Sequence, residues 1–159
     1  MDKIIINDNL RLRKFNKEEY YKALPWYEDE QVQYYTNGVK TPYGIETIGA
    51  MYDYLSSHGH CYYIEVLCKD QWKAIGDASL VENTSDDVPI TIGDKEYWGN
   101  GIGREVLQKL IEIAKNFGRQ ELKVEIYDFN ERSYGLYRKL GFKEEEPTEK
   151  GHIYRLKLR

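Results

Sequence analysis

The sequence predicts one mixed α/β domain in which short strands alternate with helices along the chain. Two observations carry this prediction. The chain has 159 residues, of which 41% are hydrophobic and 31% charged, the composition of one ordinary globular domain. Segments in which apolar residues recur at every second position alternate with segments of helical period. Because no linker, internal repeat or low-complexity tract interrupts this pattern, we expect residues 1–159 to form a single domain.

The first half of the chain predicts strands on both sides of a helical region. Asn16 is a typical helix N-cap, with Glu18 and Glu19 in the following turn, and Pro25 is expected to interrupt the helix. The expected elements are strands over 4–6 and 10–15, a helix over 17–24, helical pieces around 26–34 and 44–57, a hairpin of strands over 61–68 and 72–82, a polar turn over 83–87 and a strand over 88–93.

The clearest helix of the sequence lies over residues 102–117. Its apolar side chains recur at helical spacing, and Gly118 ends it. These side chains include Ile102, Val106, Leu110, Ile113 and Phe117. The remaining expected elements are a strand over 122–127, a short helix over 128–139 and two strands over 142–146 and 153–158.

Composition excludes several classes of protein. The net charge is −4, which argues against a nucleic-acid partner, since such proteins usually carry a basic face. No apolar run approaches the length of a membrane span and residues 1–13 lack a signal-peptide core, so we expect a cytoplasmic protein with no membrane partner. The histidines lack the spacing of a zinc motif and Cys-x-x-Cys is absent, so we expect no metal.

A glycine-rich turn precedes the long helix. Residues 97–104 read Y-W-G-N-G-I-G-R, with three glycines at alternate positions. Glycines at a helix start let backbone N–H groups approach a phosphate, although a strand-to-helix connection also favours glycine for steric reasons alone. A Rossmann fingerprint would need Gly or Ala where the chain has Arg104 or Val106, and the G-K-[S/T] of a P-loop is absent.

A second motif follows about 30 residues later, where 130–142 read N-E-R-S-Y-G-L-Y-R-K-L-G-F. The two motifs together resemble the signature pair of the GNAT superfamily of N-acetyltransferases. That pair is a [Q/R]-x-x-G-x-[G/A] loop followed by N-x-x-[A/S]-x-x-L-Y-x-K-x-G-F. The second pattern is matched at every defined position, whereas Trp98 stands where the first more often has Gln or Arg. The W-G-x-G form is similar to the branch that includes ribosomal-protein and N-terminal-alanine acetyltransferases.

The resemblance implies a fold and a cosubstrate. The fold is a mixed, mostly antiparallel sheet of six to seven strands with about four helices, in the order β-α-α-β-β-β-α-β-α-β-β. The cosubstrate is acetyl-CoA, with its pyrophosphate on the glycine turn and its pantetheine arm beside the strand that contains Ile90 and Ile92. The turn residues expected to bind it are Trp98, Gly99, Asn100, Gly101, Ile102, Gly103 and Arg104.

The second motif implies further roles. Asn130 is similar to the residue that hydrogen-bonds the pantetheine arm, and Ser133 is expected at the same site. Tyr137 is expected to protonate the leaving thiolate, and a free N–H near Ile92 to donate to the thioester carbonyl. Without the resemblance, Tyr137 is equally a core tyrosine on the apolar face of its helix.

An N-acetyltransferase also needs a base that removes a proton from the acceptor amine. The sequence identifies this base less clearly than it identifies Tyr137. Glu125 has the position of the carboxylate proposed as base in the N-terminal-acetylating branch, and it is otherwise an ordinary solvated strand carboxylate. Asp87, Asp94, Glu96 or a chain of water molecules are the alternatives.

The acceptor is expected to be a small cationic amine or a peptide amine. Residues 16–60 hold eight tyrosines and Trp26, with seven acidic residues against three lysines. Aromatic faces and carboxylates attract cations, although tyrosines also simply pack small domains. The sequence therefore predicts an acetyl-CoA-dependent N-acetyltransferase that acts by direct transfer, with a homodimer as a family-level expectation. The alternative is a GNAT-fold module that binds acyl-CoA without catalysis.

Overall fold

The computed structural model describes residues 2–82 and 86–159. These residues form eight strands, five α-helices and two short 3-10 helices. The strands are β1 (Lys3–Asn7), β2 (Leu10–Lys14), β3 (Gly59–Cys68), β4 (Gln71–Val81), β5 (Ile90–Ile92), β6 (Glu121–Tyr127), β7 (Lys143–Pro147) and β8 (Gly151–Lys157). The α-helices are α1 (Leu24–Glu28), α2 (Glu30–Asn37), α3 (Ile45–His58), α4 (Ile102–Asn116) and α5 (Glu131–Lys139), and the 3-10 helices span Lys17–Ala23 and Lys95–Tyr97.

The strands form two antiparallel sheets. The first has the order β1-β2-β3-β4-β5, and the second has the order β6-β8-β7. In the first sheet, Asp77 of β4 lies opposite Thr91 of β5. In the second, Val124 of β6 lies opposite Tyr154 of β8. This register determines which side chains of β4 and β6 share a face, because successive side chains of a strand alternate between its faces.

The two sheets meet at Asp87, just before β5. The Asp87 backbone N–H donates to the Lys123 carbonyl of β6 at 2.9 Å, and the Lys123 N–H donates to Asp87 Oδ2 at 3.0 Å. Within residues 2–82 and 86–159, β5 pairs only with β4 and β6 only with β8. A gap therefore opens between β5 and β6 beyond Asp87.

Apolar side chains cover both faces of the first sheet. On one face, α4 and α5 contribute to a core that also takes side chains from β2, β3, β4 and β6. The buried residues of α4 in this core are Val106, Leu107, Leu110 and Ala114. The opposite face carries an aromatic core under α1 and α3, with Tyr20, Trp26, Tyr27, Tyr52 and Tyr63 among its buried members.

The predicted fold class is confirmed, and the helix over 102–117 agrees with α4 to within a residue. The counts differ, because the sheet has eight strands in two parts rather than six to seven, and there are five α-helices rather than about four. The strand expected over 88–93 is shorter, at Ile90–Ile92. Of the turn expected over 83–87, residues 83–85 lie outside the described residues.

The helix expected over 17–24 is present and is interrupted near Pro25 as predicted, but it has 3-10 form. Asn16 does act as an N-cap, since its side chain accepts the Glu18 N–H at 3.0 Å, but the helix it starts is 3-10 and ends at Ala23. Pro25 then lies in the first turn of α1. A first-turn residue has no intrahelical partner for its N–H, so proline is well suited to start a helix there. Pro25 thus lies just after the boundary between the two helices, in the first turn of the second.

The structure also describes the state of the two cysteines and the length of the apolar helices. Cys61 and Cys68 are both free thiols, the first buried and the second half-buried. Along residues 2–82 and 86–159, no helix combines the length and the apolar composition needed to cross a membrane.

Candidate functional site

The glycine turn leads into α4 and requires glycine at two positions. Gly99 and Gly101 have φ values of 79° and 78°, a left-handed conformation that other residues adopt at a cost. A Cβ added at either position would meet no atom within 4 Å, so the space in front of both is open. The third glycine differs, because a Cβ at Gly103 would lie 3.2 Å from Leu136 Cδ2. The turn therefore presents bare backbone to an open space.

The N-terminus of α4 can bind an anion. Gly101 is the N-cap and offers no side chain to the N–H groups of the first turn, residues 102–104. These N–H groups and the positive end of the helix dipole attract negative charge. Arg132 adds a positive charge nearby, since its guanidinium lies 4.2 Å from the centre of the Trp98 ring. Arg132 was not among the predicted site residues.

Trp98 fixes the turn against β5. Its indole N–H donates to the Ile92 carbonyl at 2.7 Å. This contact gives the Trp98 side chain a positioning role that is separate from any contact its backbone N–H makes. The expected site residues 98–104 and Ile92 are thus brought together, and the exposed Asn100 and Arg104 lie on the same turn.

The backbone of β5 faces the gap at two expected residues. Hydrogen bonds to β4 involve the odd-numbered residues, as in Ser79 N–H to Pro89 carbonyl at 3.1 Å and Gly93 N–H to Ile75 carbonyl at 2.8 Å. In an antiparallel ladder the alternate residues point their amides the other way. The amides of Ile90 and Ile92 therefore point away from β4, toward the gap.

A cleft of about 380 Å³ runs through this gap. Val124, Ile126 and Tyr137 line it and belong to the core under α4 and α5. Tyr27 lines it as well, and belongs to the core on the opposite face. Because side chains of both faces line one cleft, the cleft passes from one side of the sheet to the other. Ile90, Glu125, Asn130, Ser133 and Tyr137, all predicted site residues, contribute to its lining.

Tyr137 lines the cleft next to Val88. Its hydroxyl donates to the Val88 carbonyl at 2.7 Å, and the side chain is only 2% exposed. Burial raises its pKa well above the usual value of 10, and the Asp86 carboxylate adds to this effect. The Tyr137 hydroxyl is therefore protonated at neutral pH and can serve as a proton donor.

Two carboxylates share the cleft near Tyr137. Glu125 projects from β6, and Asp86 accepts a hydrogen bond from the Glu125 backbone N–H. Burial, followed by the charges of Glu125 and Asp87, raises the pKa of Asp86 to about 7. Asp86 was not predicted from the sequence, where it is one of several residues of a polar turn.

The alternative bases are placed elsewhere. Asp87 joins the sheets and lies 3.3 Å from Arg119 Nη2, while Asp94 pairs with Lys73 at 3.0 Å. Neither these two nor Glu96 is among the described residues that line the cleft. Glu125 is thus the one sequence-predicted base candidate that reaches the cleft within the described chain.

Asn130 makes protein contacts with both ends of its amide. Its side-chain oxygen accepts the Ser133 N–H at 3.2 Å as the N-cap of α5, and its Nδ2 donates to the Tyr35 carbonyl at 3.1 Å. Asn130 therefore links α5 to α2. It still lines the cleft, so a ligand arm would meet the outer side of this amide.

Asp77 is a further carboxylate in the cleft that the sequence analysis missed. Tyr27 and Tyr52 donate to its Oδ2 at 2.5 and 2.7 Å. Its side chain is 6% exposed, and burial raises its pKa to about 6 although the two tyrosine hydroxyls act in the opposite direction. The signal in the sequence was a charged residue within the small and mostly apolar run 74–81.

The tyrosines of 16–60 divide between packing and the cleft. Tyr27, Tyr35 and Tyr54 line the cleft, whereas Tyr20 and Tyr52 are buried in the aromatic core. The acidic residues of this segment do not line the cleft, and its carboxylates come from Asp77, Asp86 and Glu125 instead. Within residues 2–82 and 86–159, no group of three or more His, Cys, Asp or Glu side chains is arranged to hold a metal.

Sequence comparison relates this arrangement to a known family. Residues 9–143 match the acetyltransferase (GNAT) domain. The chain belongs to the GNAT acetyltransferase family. The superfamily indicated by the two motifs is thereby confirmed, and the prediction of an acetyltransferase is confirmed at the level of the family.

Individual members of the family share limited sequence identity with this chain. A thialysine N-epsilon-acetyltransferase of Bos taurus is 35% identical over 60 residues, which are 38% of this chain and 35% of that protein. A domain from Methanocaldococcus jannaschii superposes with a TM-score of 0.82 at 22% identity, covering 94% of this chain and 99% of that one. The RimL ribosomal L7/L12 alpha-N-protein acetyltransferase in complex with coenzyme A gives 0.77 at 15% identity, covering 98% and 97%. The two structures show a shared fold.

The raised pKa of Asp77 predicts a pH-dependent contribution to stability. The folded chain holds the Asp77 proton with a pKa of about 6, against an ordinary value of 3.8. The free energy of unfolding should therefore fall as pH rises from 4 to 6, by on the order of 3 kcal/mol from this group. Asp77→Asn removes the titration, so urea unfolding of both proteins should give a wild-type-minus-variant difference that declines over this range. Asp53→Asn, at an exposed position, controls for loss of one carboxylate, and a pH-independent difference would contradict the prediction.

Proposed function

We propose that the protein is an acetyl-CoA-dependent N-acetyltransferase that transfers an acetyl group directly to a primary amine. The observation that carries this proposal is the cleft through the sheet gap, with an anion-binding turn beside it and carboxylates within it. A pantetheine arm fits a gap whose edge offers the amides of Ile90 and Ile92. A pyrophosphate fits the open space in front of Gly99 and Gly101.

The chain's own residues would divide the binding of acetyl-CoA between two regions. The backbone of residues 98–104 would hold the pyrophosphate, and the Arg132 guanidinium would add positive charge beside it. The backbone of Ile90 would pair with an amide of the arm, while Asn130 and Ser133 would line its path. Acetyl-CoA supplies a thioester whose carbonyl carbon the amine attacks, so that a C–N bond forms, the C–S bond breaks, and free thiol is released.

Tyr137 would provide the proton that the leaving sulfur takes up. Its hydroxyl remains protonated because burial raises its pKa, and the Val88 carbonyl at 2.7 Å holds it in one orientation. The backbone N–H of Ile92 would donate to the thioester carbonyl oxygen, where negative charge develops.

The Asp86–Glu125 pair would take the proton that the acceptor amine must lose. An alkylammonium with a pKa near ~10.4 cannot attack until it is deprotonated. Asp86 has a pKa of about 7 and is therefore largely ionised above neutral pH. Glu125 is the base candidate named from the sequence. The hydrogen bond from its backbone N–H orients Asp86.

The acceptor would be a small cationic amine. Three carboxylates and several tyrosines line the cleft, and they attract ammonium groups by Coulomb and cation–π interactions. The thialysine relative is named for acetylation of an amine, which agrees with this acceptor class.

Tyr137→Phe tests catalysis separately from binding. With an active amine, thiol release should fall by about 100-fold or more, because a general acid contributes on that order. Affinity for CoA, measured by calorimetry, should stay within a few-fold, since the lost hydroxyl does not bind the nucleotide part.

Tyr134→Phe is the matched control, because Tyr134 lies on the same helix and stacks on Tyr154 outside the cleft. Equal activity of Tyr137→Phe and wild type would remove Tyr137 from catalysis. If wild type binds acetyl-CoA but releases no thiol with any amine, the chain is a binding module instead.

Gly101→Val tests the proposed pyrophosphate site. A β-branched residue is strained at a φ of 78° and would place its side chain in the open space in front of the turn. The thermal shift caused by acetyl-CoA should be lost in this variant and kept in Gly49→Ala, a substitution within α3 where a Cβ meets nothing within 4 Å. A normal shift in Gly101→Val would place the nucleotide elsewhere.

The base assignment predicts a particular pH profile. The acidic limb of kcat/KM should lie near pH 7 in wild type, because Asp86 must be ionised to accept the proton. Glu125→Gln should move this limb to lower pH, since the loss of a neighbouring negative charge lowers the pKa of Asp86. Asp86→Asn should abolish the limb and lower kcat. An unchanged limb in Asp86→Asn would assign the proton transfer to another group.

A further inference from the structure

The carboxylates of the cleft form two separate poles. Asp86 and Glu125 line the same cleft as Tyr137. Asp77 lies opposite Thr91 on β5, whereas the Tyr137 hydroxyl contacts Val88. Val88 lies three positions before Thr91, a spacing of roughly 10 Å in extended chain.

The second pole is Asp77, whose hydrogen bonds leave one carboxylate oxygen available. Tyr27 and Tyr52 both donate to Asp77 Oδ2 and are themselves 1% and 0% exposed. Their hydroxyls hold the carboxyl in one orientation. Among the hydrogen bonds of the described residues, those to this side chain end on Oδ2, which leaves Oδ1 for a group in the cleft that Asp77 lines.

The wall between the poles is apolar. Pro89 and Ile90 lie between Val88 and Thr91 on the chain, and both line the cleft. No lysine, arginine or histidine is among the described residues that line it. A ligand carboxylate would therefore find no cationic partner in the cleft and would be repelled by three acids.

We propose that the acceptor carries two cationic groups joined by an apolar spacer, and that Asp77 binds the ammonium that does not react. This inference rests on the proposed function, because it assumes that the reacting amine lies beside Tyr137. Asp77 is then a specificity-determining residue, since it selects dications over amines with one charge. A buried carboxylate that binds an ammonium contributes a charge-assisted hydrogen bond in a site with little water.

Matched acceptors test the proposal. The rate of thiol release is measured for a series of α,ω-diamines of increasing length, for the monoalkylamines of equal length and for the corresponding ω-amino acids. We expect the best diamine to exceed its monoamine in kcat/KM by about 10- to 100-fold, the effect of one hydrogen bond to a charged group. The ω-amino acid should be the poorest of the three. Equal kcat/KM values for diamine and monoamine in wild type would overturn the proposal.

Asp77→Asn assigns the preference to one residue. Asparagine can still accept from Tyr27 and Tyr52, so the surroundings are kept while the charge is lost. The diamine advantage should disappear, so that diamine and monoamine of equal length give similar kcat/KM values in this variant. Asp53→Asn, on the exposed side of α3, is the control and should retain the advantage. A diamine preference that survives in Asp77→Asn would overturn the assignment.

Two further measurements test the proposal if Asp77→Asn does not fold or if no amine is acetylated. Should Asp77→Asn not fold, the length series in wild type decides. A fixed carboxylate gives an optimum at one diamine length, and a rise without an optimum contradicts the proposal. Should no amine be turned over, the proposed function fails. Calorimetric binding of diamine and monoamine to the CoA-loaded protein then still supports or overturns the second cation site.

Discussion

The hydrogen bonds between Asp87 and Lys123 join the two sheets at one end of the gap between β5 and β6. Arg119 stabilises this junction, since it lies 3.3 Å from the Asp87 carboxylate and donates to the Val81 carbonyl at 3.1 Å. Because β5 and β6 diverge from this point, the strand amides beyond it have no ladder partner within the described chain. Unpaired strand amides bind extended ligands readily, so the junction produces both the cleft and its binding edge.

A second constraint is the burial of Asp77. A carboxylate removed from water is costly unless hydrogen bonds compensate it, and the hydroxyls of Tyr27 and Tyr52 do so here. The same bonds tie α1 and α3 to β4, so the helices that wall the cleft are positioned by a polar contact as well as by the aromatic core. Burial nevertheless raises the pKa of Asp77 to about 6, in the direction opposite to the effect of the two tyrosine hydroxyls.

How far the sequence predicts this site depends on the range of the interactions involved. The glycine turn and α4 follow from local requirements, namely positive φ at Gly99 and Gly101 and an apolar stripe, and both were predicted. Tyr137 was predicted through its motif. Asp77 and Asp86 were missed because their partners lie far away in sequence, at 25 residues or more for Asp77. The 3-10 form of Lys17–Ala23 likewise depends on packing that no local pattern encodes.

Helix α2 links the acceptor side of the cleft to the second motif. Tyr34 stacks on Phe129 with ring centres 4.2 Å apart, Asn130 donates to the Tyr35 carbonyl, and the Tyr35 ring lies edge-on to Trp98 at 6.2 Å. One helix thus contacts the segment after β6, the start of α5 and the glycine turn. Since α1, which precedes α2, is tied to β4 through Tyr27, the two helices together cross the gap between the sheets. A change in the width of the gap would therefore move α1 and α2 with it, and under the proposed function this would couple the geometry of cosubstrate binding to that of acceptor binding.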